Sequence, residues 1–408
     1  MINKLKRLSD IQYMNARLKD KANDIKYVIS GIKKYSGDSL YRINNLERGI
    51  TDHRSFNTTS DEQIIDRLII FFKEMKEAQR NVKAYYRPAE GWQRWIDFPF
   101  KDLVEALNKK DGSALSSYLQ NFMRNYAICY DYISPWHKIP YLFKSKIGKY
   151  LYMNIIFDTY YFWKYITGIA EPIPALSHSL VGNPYGYYLG NVLVTTASCF
   201  LQRLTCHLRD LIADIKRPGI MEIGGGYGQL AVYMLREMEK YTYINFDLPE
   251  VAVIFSYYML KNFPQKKFLL FGEAALTSNS LSDYDVIIMP NYKIEDLDDG
   301  SIDLVINKNS LGEMHRDTVI KYIGDISRIC RRYFFHMNHE YYPDYSGLPA
   351  HQYPIQDNIF LRIYRTPYMD PFNFTRNVKG MKDDIFLYLY EKSSTSSKFI
   401  SRRPPANE

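Results

Sequence analysis

The chain has 408 residues, of which 46% are hydrophobic and 24% charged, and its formal net charge is +8. This composition is that of a globular protein long enough for two domains, and it excludes wholesale disorder. The basic residues are scattered along the chain, so no basic stripe indicates nucleic acid as the main partner.

The cysteines and the start of the chain indicate the compartment. Cys129, Cys199, Cys206 and Cys330 are widely spaced, which excludes a disulfide framework and a C-x-x-C zinc site. The chain starts Met-Ile-Asn-Lys-Leu-Lys-Arg, without the apolar stretch of a signal peptide. The most apolar long segment, 150–170, contains charged residues and is too polar to span a bilayer. We therefore expect a cytoplasmic protein with no transmembrane segment, and the sequence leaves its oligomeric state open.

Residues 1–198 are predicted to form a mainly helical N-terminal domain. The run Ser60-Asp-Glu-Gln63 matches a capping box and opens an amphipathic helix. The apolar face of that helix consists of Ile64, Leu68, Ile69, Phe72 and Met75. Further helices are predicted over 113–126 and 145–165, and proline-containing stretches separate them.

From residue 199 the pattern changes to an alternation of strands and helices. Predicted helices cover 199–215, 231–238, 251–262 and 316–331. Predicted strands start at 220 and cover 243–246, 304–307, 333–337, 360–364 and 386–390. Two β-like runs, 267–271 and 286–289, compete for the place of the third strand. The alternation predicts an α/β, doubly wound Rossmann-like sheet over 199–392, followed by a disordered tail over 393–408.

The glycine cluster in 220–228, Ile-Met-Glu-Ile-Gly-Gly-Gly-Tyr-Gly, is the most informative motif. Glu222 closes an apolar run, and Gly224, Gly226 and Gly228 follow at alternate positions before a helical segment. Such a strand, tight turn and helix lets a ligand lie against bare backbone. A dinucleotide site needs G-x-G-x-x-G, whereas these glycines run G-x-G-x-G. The carboxylate before them would repel a pyrophosphate and favour the ammonium and sulfonium of S-adenosylmethionine.

Polar residues after the next strands complete a nucleoside site. The second strand ends at Asp247, about 20 residues after the glycines, where a carboxylate can accept both ribose hydroxyls. Asn291 follows the apolar run 286–289 and could bond the exocyclic amine of adenine, with Tyr292 covering the ring. The rival for the adenine is Phe271-Gly-Glu273, if the earlier run is the third strand.

At these residues the chain resembles a known family. Glu222-Ile-Gly-Gly-Gly-Tyr-Gly228 with Asp247 resembles motif I and the ribose-binding acid of class I S-adenosylmethionine-dependent methyltransferases. The stretches 246–251, 303–314 and 119–124 resemble the bacterial sugar O-methyltransferase family. The resemblance implies methyl transfer from S-adenosylmethionine to a hydroxyl of a sugar or glycan. The predicted cofactor-binding residues are Glu222, Gly224, Gly226, Tyr227, Gly228, Asp247, Leu248, Asn291 and Asn309.

The candidate bases follow strands four and five, because ligands bind outside the carboxyl ends of the strands. A neutral alcohol oxygen is a poor nucleophile, so a base or a metal must assist. Glu313 and His315 follow strand four, and His339 follows strand five. Each residue also has a non-catalytic alternative. Glu313 could simply be stabilised by the dipole of the 316–331 helix, and His315 could be an exposed polar residue without a role. No strong metal motif exists, and a divalent ion is possible but not indicated.

The acceptor is expected between the two halves of the chain. Asn183 and Tyr185, in the turn-rich loop 182–187, are the predicted acceptor-binding residues, and the alternative for this loop is a plain linker. Two rival functions stay open. One is methyl transfer to a polyketide or other natural-product hydroxyl, and the other is a non-catalytic methyltransferase-like scaffold.

Overall fold

The first half of the chain is built mainly from helices. The computed structural model describes residues 21–54, 61–124, 143–277, 279–340, 347–368 and 385–393. The helices of the first half are α1 (21–35, the described part), α2 (Ile43–Gly49), α3 (Glu62–Gln79), α4 (Glu90–Asp97), α5 (Lys101–Lys109), α6 (Gly112–Leu119) and α7 (Lys146–Thr167). The helix predicted over 113–126 ends earlier, at Leu119, and a short 3-10 turn covers Phe122–Arg124.

Helix α7 shows how local sequence sets the ends of an element. The Ser145 side chain accepts a hydrogen bond from the N–H of Gly148 at the N-terminus, and Gly168 ends the helix at a φ of 70°. The prediction over 145–165 is therefore confirmed. A short antiparallel hairpin, β1 (Tyr187–Leu189) and β2 (Val192–Val194), also lies in this half, where only helices were predicted.

The second half forms an eight-stranded sheet. Its strands are β3 (Gly219–Ile223), β4 (Thr242–Asp247), β5 (Phe268–Leu270), β6 (Val286–Pro290), β7 (Ile302–Lys308), β8 (Cys330–His339), β9 (Phe360–Pro367) and β10 (Ile385–Lys392). Their order is β5-β6-β4-β3-β7-β8-β10-β9, with β10 antiparallel to both neighbours and β3 to β8 parallel. The strand order reverses direction at β3 and β7, which is the topological switch point of a doubly wound sheet. The predicted fold class is confirmed.

Both runs that competed for the third strand are strands. β6 pairs with β4, while β5 pairs only with β6 at the edge of the sheet. The run 286–289 is therefore the third strand in space, next to the ribose-side strand. Consequently the residues that follow it, and not Phe271-Gly-Glu273, lie beside Asp247.

Helices cover both faces of the sheet, as a parallel sheet requires. The helices of this half are α8 (Ser198–Leu211), α9 (Gln229–Glu237), α10 (Pro249–Asn262), the four-residue α11 (Ser280–Asp283) and α12 (Arg316–Ile329). One apolar core joins α8, α9 and α10 to one face of the sheet, and a second joins α12 to the other. Helices α3, α5 and α6 of the first half belong to the first of these cores.

Buried ion pairs reinforce the contact between the two halves. Lys261 of α10 lies 2.5 Å from Asp61, at the start of α3, and both side chains are almost fully buried. Lys76 of α3 lies 2.9 Å from the buried carboxylate of Glu250 in α10. Removing either partner of the Lys261–Asp61 pair, or Lys76 of the second pair, would leave a buried charge uncompensated, so these pairs stabilise the packing of α3 on α10.

Two sequence predictions fall outside the described ranges. Ser60 of the predicted capping box lies outside them, and so does the predicted tail over 393–408 apart from Ser393. Within the ranges given above, every helix is too short or too polar to cross a membrane.

Candidate functional site

The turn after β3 has a backbone conformation that favours glycine at three positions. Gly224, Gly226 and Gly228 have φ values of 69°, 60° and 92°, in the left-handed region that favours glycine. A Cβ on Gly224 would lie 2.3 Å from the hydroxyl of Ser310, whereas a Cβ on Gly226 would meet nothing within 4 Å. The space over Gly226 is therefore open to a ligand.

Asp247 ends β4 beside this turn. Its Oδ2 accepts a hydrogen bond from the N–H of Gly226 at 3.1 Å, and its Oδ1 accepts one from Leu248 at 2.7 Å. Burial raises the pKa of Asp247 to about 7, the two hydrogen bonds oppose this, and the carboxylates of Glu222 and Glu250 add to it. The predicted ribose-binding carboxylate thus faces the glycine turn and lines the cleft.

Glu222 lies beneath the turn instead of on the wall of the cleft. The Tyr243 hydroxyl donates to its Oε2 at 2.7 Å, and a Cβ on Gly225 would lie 2.8 Å from the same oxygen. Burial raises the pKa of Glu222, while the Tyr243 hydrogen bond and the charge of Lys308 oppose the shift. Ile306 pairs with Glu222 across the strands, which puts Lys308 on the same face, nearer the carboxyl edge.

Three asparagines around the turn have polar atoms left for a ligand. Asn291 donates from Nδ2 to the carbonyl of Tyr86 at 2.9 Å, and Asn245 accepts from the N–H of Gly225 at 3.2 Å. Asn291 Oδ1, Asn245 Nδ2 and Asn309 Oδ1 are buried and have no hydrogen-bond partner within the described ranges. An unsatisfied buried polar group costs about 1–3 kcal/mol, and of the three asparagines only Asn291 lines the cleft, where a ligand could bond it. Asn309 also has a left-handed backbone, with φ 56°.

A cleft opens over this turn. It lies outside the carboxyl ends of β3, β4, β6 and β7, at the switch point of the sheet. Its walls consist of Arg87, Pro88, Ala89, Trp92, Ile223, Gly224, Gly226, Phe246, Asp247, Leu248, Val251, Asn291, Ser310, Met314, His315, Thr318 and Tyr322. Five of the predicted cofactor-binding residues are among them, namely Gly224, Gly226, Asp247, Leu248 and Asn291.

The first half of the chain supplies one wall of the cleft. The stretch just before α4 docks on α12, where the Thr318 hydroxyl donates to the carbonyl of Tyr85 at 2.7 Å. The Tyr86 and Tyr322 ring centroids are 6.1 Å apart at the same place. The residues that follow, 87–92, turn along the cleft, so that Trp92 lies opposite the sheet.

The candidate bases lie at different depths. Glu313 is half-buried in a 3-10 turn after β7, and its Oε2 accepts a hydrogen bond from the Trp92 indole N–H at 3.0 Å. His315 is an exposed wall residue whose Nδ1 accepts from the N–H of Asp317 at the start of α12. His339 is half-buried at the end of β8, and neither it nor Glu313 is among the residues that line the cleft.

The structure does not bring Tyr227, Gly228 or Tyr292 to the cleft. The Tyr227 ring packs 5.8 Å from Phe122, and Gly228 caps the N-terminus of α9. The Tyr292 hydroxyl donates to the carbonyl of Met75 at 3.2 Å, and its ring therefore points toward α3. The backbone after β6 reaches the cleft through Asn291 alone.

The predicted acceptor-binding residues lie elsewhere. Asn183 is buried with a φ of 60°, and its side chain accepts from the N–H of His53 and donates to Asn121. The Tyr185 ring lies under the guanidinium of Arg124, at 4.3 Å. Neither Asn183 nor Tyr185 lines the cleft, and the loop that carries them holds elements of the first half together.

Several wall residues escaped the sequence analysis. Trp92, Thr318 and Tyr322 reach the cleft through contacts between distant segments, which no local pattern signals. Ser310 could have been found, because it lies within the Asn-Ser-Leu-Gly-Glu-Met stretch that carried the family resemblance. Among the described residues, no group of three or more His, Cys, Asp or Glu side chains could hold a metal ion.

Comparisons with known proteins give distant similarities only. No protein-family model matches the chain, and no curated protein sequence does. A geranyl diphosphate methyltransferase solved with S-adenosylmethionine is 11% identical, with a TM-score of 0.34 over 47% of this chain and 85% of that one. The magnesium protoporphyrin IX methyltransferase of Synechocystis PCC 6803, solved with S-adenosylhomocysteine, is 13% identical, with a TM-score of 0.33 over 48% and 84%.

The fold assignment rests on this chain's own topology. The parallel strands, the reversal of order between β3 and β7 and the helices on both faces define a doubly wound, Rossmann-like α/β protein with a helical N-terminal region.

Proposed function

We propose that the protein is an S-adenosylmethionine-dependent O-methyltransferase that acts on a hydroxyl of a sugar or glycan. The observation that carries the proposal is the open glycine turn at the switch point, with the Asp247 carboxylate bonded to Gly226 beside it. This arrangement suits a nucleoside whose far end is not a pyrophosphate, because the buried carboxylates of Glu222 and Asp247 lie next to the glycines, and the nearby Lys308 cation acts on Glu222.

The residues around the cleft fit the cofactor. When bound, S-adenosylmethionine supplies a methyl group on a positively charged sulfur. Gly224 and Gly226 would hold its amino-acid end against bare backbone, and Asp247 would accept the ribose hydroxyls. The unpartnered Oδ1 of Asn291 suits the exocyclic amine of adenine, and that of Asn309 suits an ammonium group.

The acceptor hydroxyl needs a group that takes its proton. Glu313 and His315 both follow β7 and are the two candidates: His315 lines the cleft, and Glu313 is bonded to Trp92, which lines it. Glu313 has the fixed orientation, through its hydrogen bond to Trp92. His315 has the more open position, on the wall of the cleft.

The choice of a sugar or glycan acceptor is supported by the sequence resemblance over 246–251 and 303–314. The Asn-Ser-Leu-Gly-Glu-Met part of the second stretch forms the turn that carries Glu313, and its Ser310 and Met314 line the cleft. Acceptor specificity in such folds depends on the surrounding loops, so the sheet itself does not discriminate between sugars and other alcohols.

Two measurements test the proposal. Thermal shift with S-adenosylmethionine, S-adenosylhomocysteine and NAD should show stabilisation by the first two only, since a ligand of the native state raises the melting temperature. Transfer of a labelled methyl group to a panel of sugar nucleotides and cell-surface glycans, with polyketide alcohols as the comparison panel, then identifies the acceptor. Stabilisation by none of the three ligands would favour a scaffold protein, and label only in the polyketide panel would overturn the sugar assignment.

A further inference from the structure

We propose that Trp92 of α4 is a positioning residue for the reaction. Its indole N–H holds the Glu313 carboxylate ionised and aimed at the acceptor. This inference rests on the proposed function, because it takes Glu313 as the base.

The geometry of the pair supports the assignment. Trp92 Nε1 lies 3.0 Å from Glu313 Oε2, and Trp92 itself lines the cleft. An indole N–H can only donate, so the oxygen that it bonds must act as an acceptor. The bond joins residues 221 positions apart in the chain, one from each half of the protein.

The main chain of Glu313 is held independently of Trp92. The Glu313 N–H donates to the carbonyl of Ser310 at 3.1 Å, and the preceding N–H, of Gly312, donates to Asn338 Oδ1 at 3.3 Å. The hydroxyl of Ser310 in turn donates to the carbonyl of Ile223, at the end of β3. The turn is thus fixed by the sheet, and the bond to Trp92 acts on the direction of the side chain.

Trp92 has its own support in the first half. Its ring packs against the apolar core that α3 and α5 share with the sheet, and Gly91 and Ile96 of the same helix are buried. The stretch before it docks through Tyr86, whose carbonyl accepts from Asn291. One segment, 84–92, therefore touches both the residue proposed for the adenine and the proposed base.

The chemical effect follows from the type of bond. A hydrogen bond from a neutral N–H to a carboxylate is charge-assisted and favours the ionised form. An ionised carboxylate is the form that can accept a proton from the acceptor hydroxyl. The Lys308 cation at the end of β7 also acts on Glu313 and favours the same ionised form. Without the indole N–H, the carboxylate would keep this second influence but would ionise at higher pH than with both.

The test replaces Trp92 with Phe, which keeps an aromatic ring and removes the N–H. The matched control is Trp95→Phe, because Trp95 lies in the same helix, packs on the same core and does not line the cleft. We expect Trp92→Phe to lower kcat about tenfold, with unchanged KM for S-adenosylmethionine, and to move the acid limb of kcat/KM up by about one pH unit. In the Glu313→Gln background, Trp92→Phe should have no further effect on kcat.

A readout that needs no turnover separates this inference from the proposed function. Tryptophan fluorescence of the full-length protein, followed against pH, should show a step that Glu313→Gln and Trp92→Phe both remove and Trp95→Phe keeps. An equal loss of kcat in the two Phe variants with no shift of the acid limb, or a step that persists in Glu313→Gln, would overturn the inference. Absence of cofactor binding and methyl transfer in the wild type would instead overturn the proposed function, whatever the fluorescence shows.

Discussion

The N–H of Gly226 donates a hydrogen bond to the Asp247 carboxylate at 3.1 Å, which joins the turn after β3 to the end of β4. β3, which leads into the turn, and β4, which ends at Asp247, are neighbouring parallel strands, and both residues line the cleft. The contact fixes the distance between bare backbone and carboxylate, the two features that would hold the two ends of a sulfonium nucleoside.

Replacing Asp247 with Ala should abolish cofactor binding and leave the protein folded. A hydrogen bond to a charged group contributes about 1.5–3 kcal/mol, and two ribose hydroxyls depend on this carboxylate, so we expect at least a hundredfold loss of affinity. Calorimetric titration with S-adenosylmethionine measures it, and circular dichroism checks the fold. The control is Asp283→Ala, an exposed aspartate in α11. Unchanged affinity in Asp247→Ala would refute the ribose assignment.

Cofactor affinity should depend on pH near neutrality. Burial raises the pKa of Asp247 to about 7, and only the ionised carboxylate can accept from both ribose hydroxyls. Affinity should therefore rise from pH 6 to pH 8 and weaken by up to about tenfold per pH unit below 7. The stability of the ligand-free protein should change with pH in the opposite direction to cofactor affinity. The neutral form favours folding, so its contribution is full below the ordinary pKa of 3.8 and is lost as the pH rises through 7. A titration of affinity that is flat from pH 6 to 8 would contradict this prediction.

Gly226→Ala should separate the strain of the turn from the closure of the cleft. Gly226 and Gly190 have nearly equal φ values, 60° and 63°, and a Cβ on either would meet nothing within 4 Å. Each Ala substitution should therefore cost about 1–2 kcal/mol through the left-handed backbone alone. Only the Gly226 methyl would project into the cleft, so only Gly226→Ala should weaken S-adenosylmethionine binding. Equal affinity in the two variants would place the cofactor elsewhere.

The two candidate bases are distinguished by their variants. Glu313→Gln should lower turnover 10²–10⁴-fold if Glu313 takes the proton, and His315→Ala should do so if His315 does. Neither change should alter cofactor affinity, because neither residue lies at the Asp247 end of the cleft. Initial rates at saturating S-adenosylmethionine measure the difference. Normal turnover in both variants would show that neither Glu313 nor His315 is the base.

His336 should make the protein sensitive to acid. It is fully buried in β8, stacked 4.5 Å from the Tyr388 ring, and burial lowers its pKa to about 3. In the unfolded chain the His336 ring takes up its proton near pH 6.5, whereas in the folded protein it stays neutral. The free energy of unfolding should therefore fall as the pH drops from 6.5 toward 3, by up to about 1.4 kcal/mol per pH unit. Urea denaturation measures the free energy of unfolding at each pH. In His336→Phe, the slope of this free energy against pH should correspond to one proton fewer taken up on unfolding. An unchanged slope would mean that His336 is not the group responsible.

The glycine turn and Asp247 could be predicted from sequence, because the conformation of each depends on residues next to it in the chain. Positive φ values at Gly224, Gly226 and Gly228 need glycine, so the spacing of glycines reveals the turn directly. Asp247 could be placed because a β-rich run ends at it. The more continuously apolar character of 286–289 favours it over 267–271 as the neighbour of the second strand, and the pairing order agrees, but that both runs are strands was not predicted.

The rest of the site depends on contacts between distant segments. Tyr227 was expected at the cofactor, yet its ring completes an aromatic contact with Phe122 from the first half. Asn183 was expected at the acceptor because turn-rich loops often bind ligands, but its left-handed backbone and two side-chain hydrogen bonds serve the packing of the loop. Trp92 was not predicted. Its partner Glu313 lies 221 positions away in the chain, and no local sequence pattern around Trp92 indicates this contact.

The core that α3, α5 and α6 share with α8, α9 and α10 has a consequence for the evolution and engineering of acceptor choice. A new acceptor preference cannot be grafted by exchanging the N-terminal half as a cassette, because a foreign half would bring mismatched apolar surfaces and would break the Lys261–Asp61 pair. If the proposed function holds, a change of acceptor preference is expected from substitutions along the cleft wall and not from exchange of the N-terminal half.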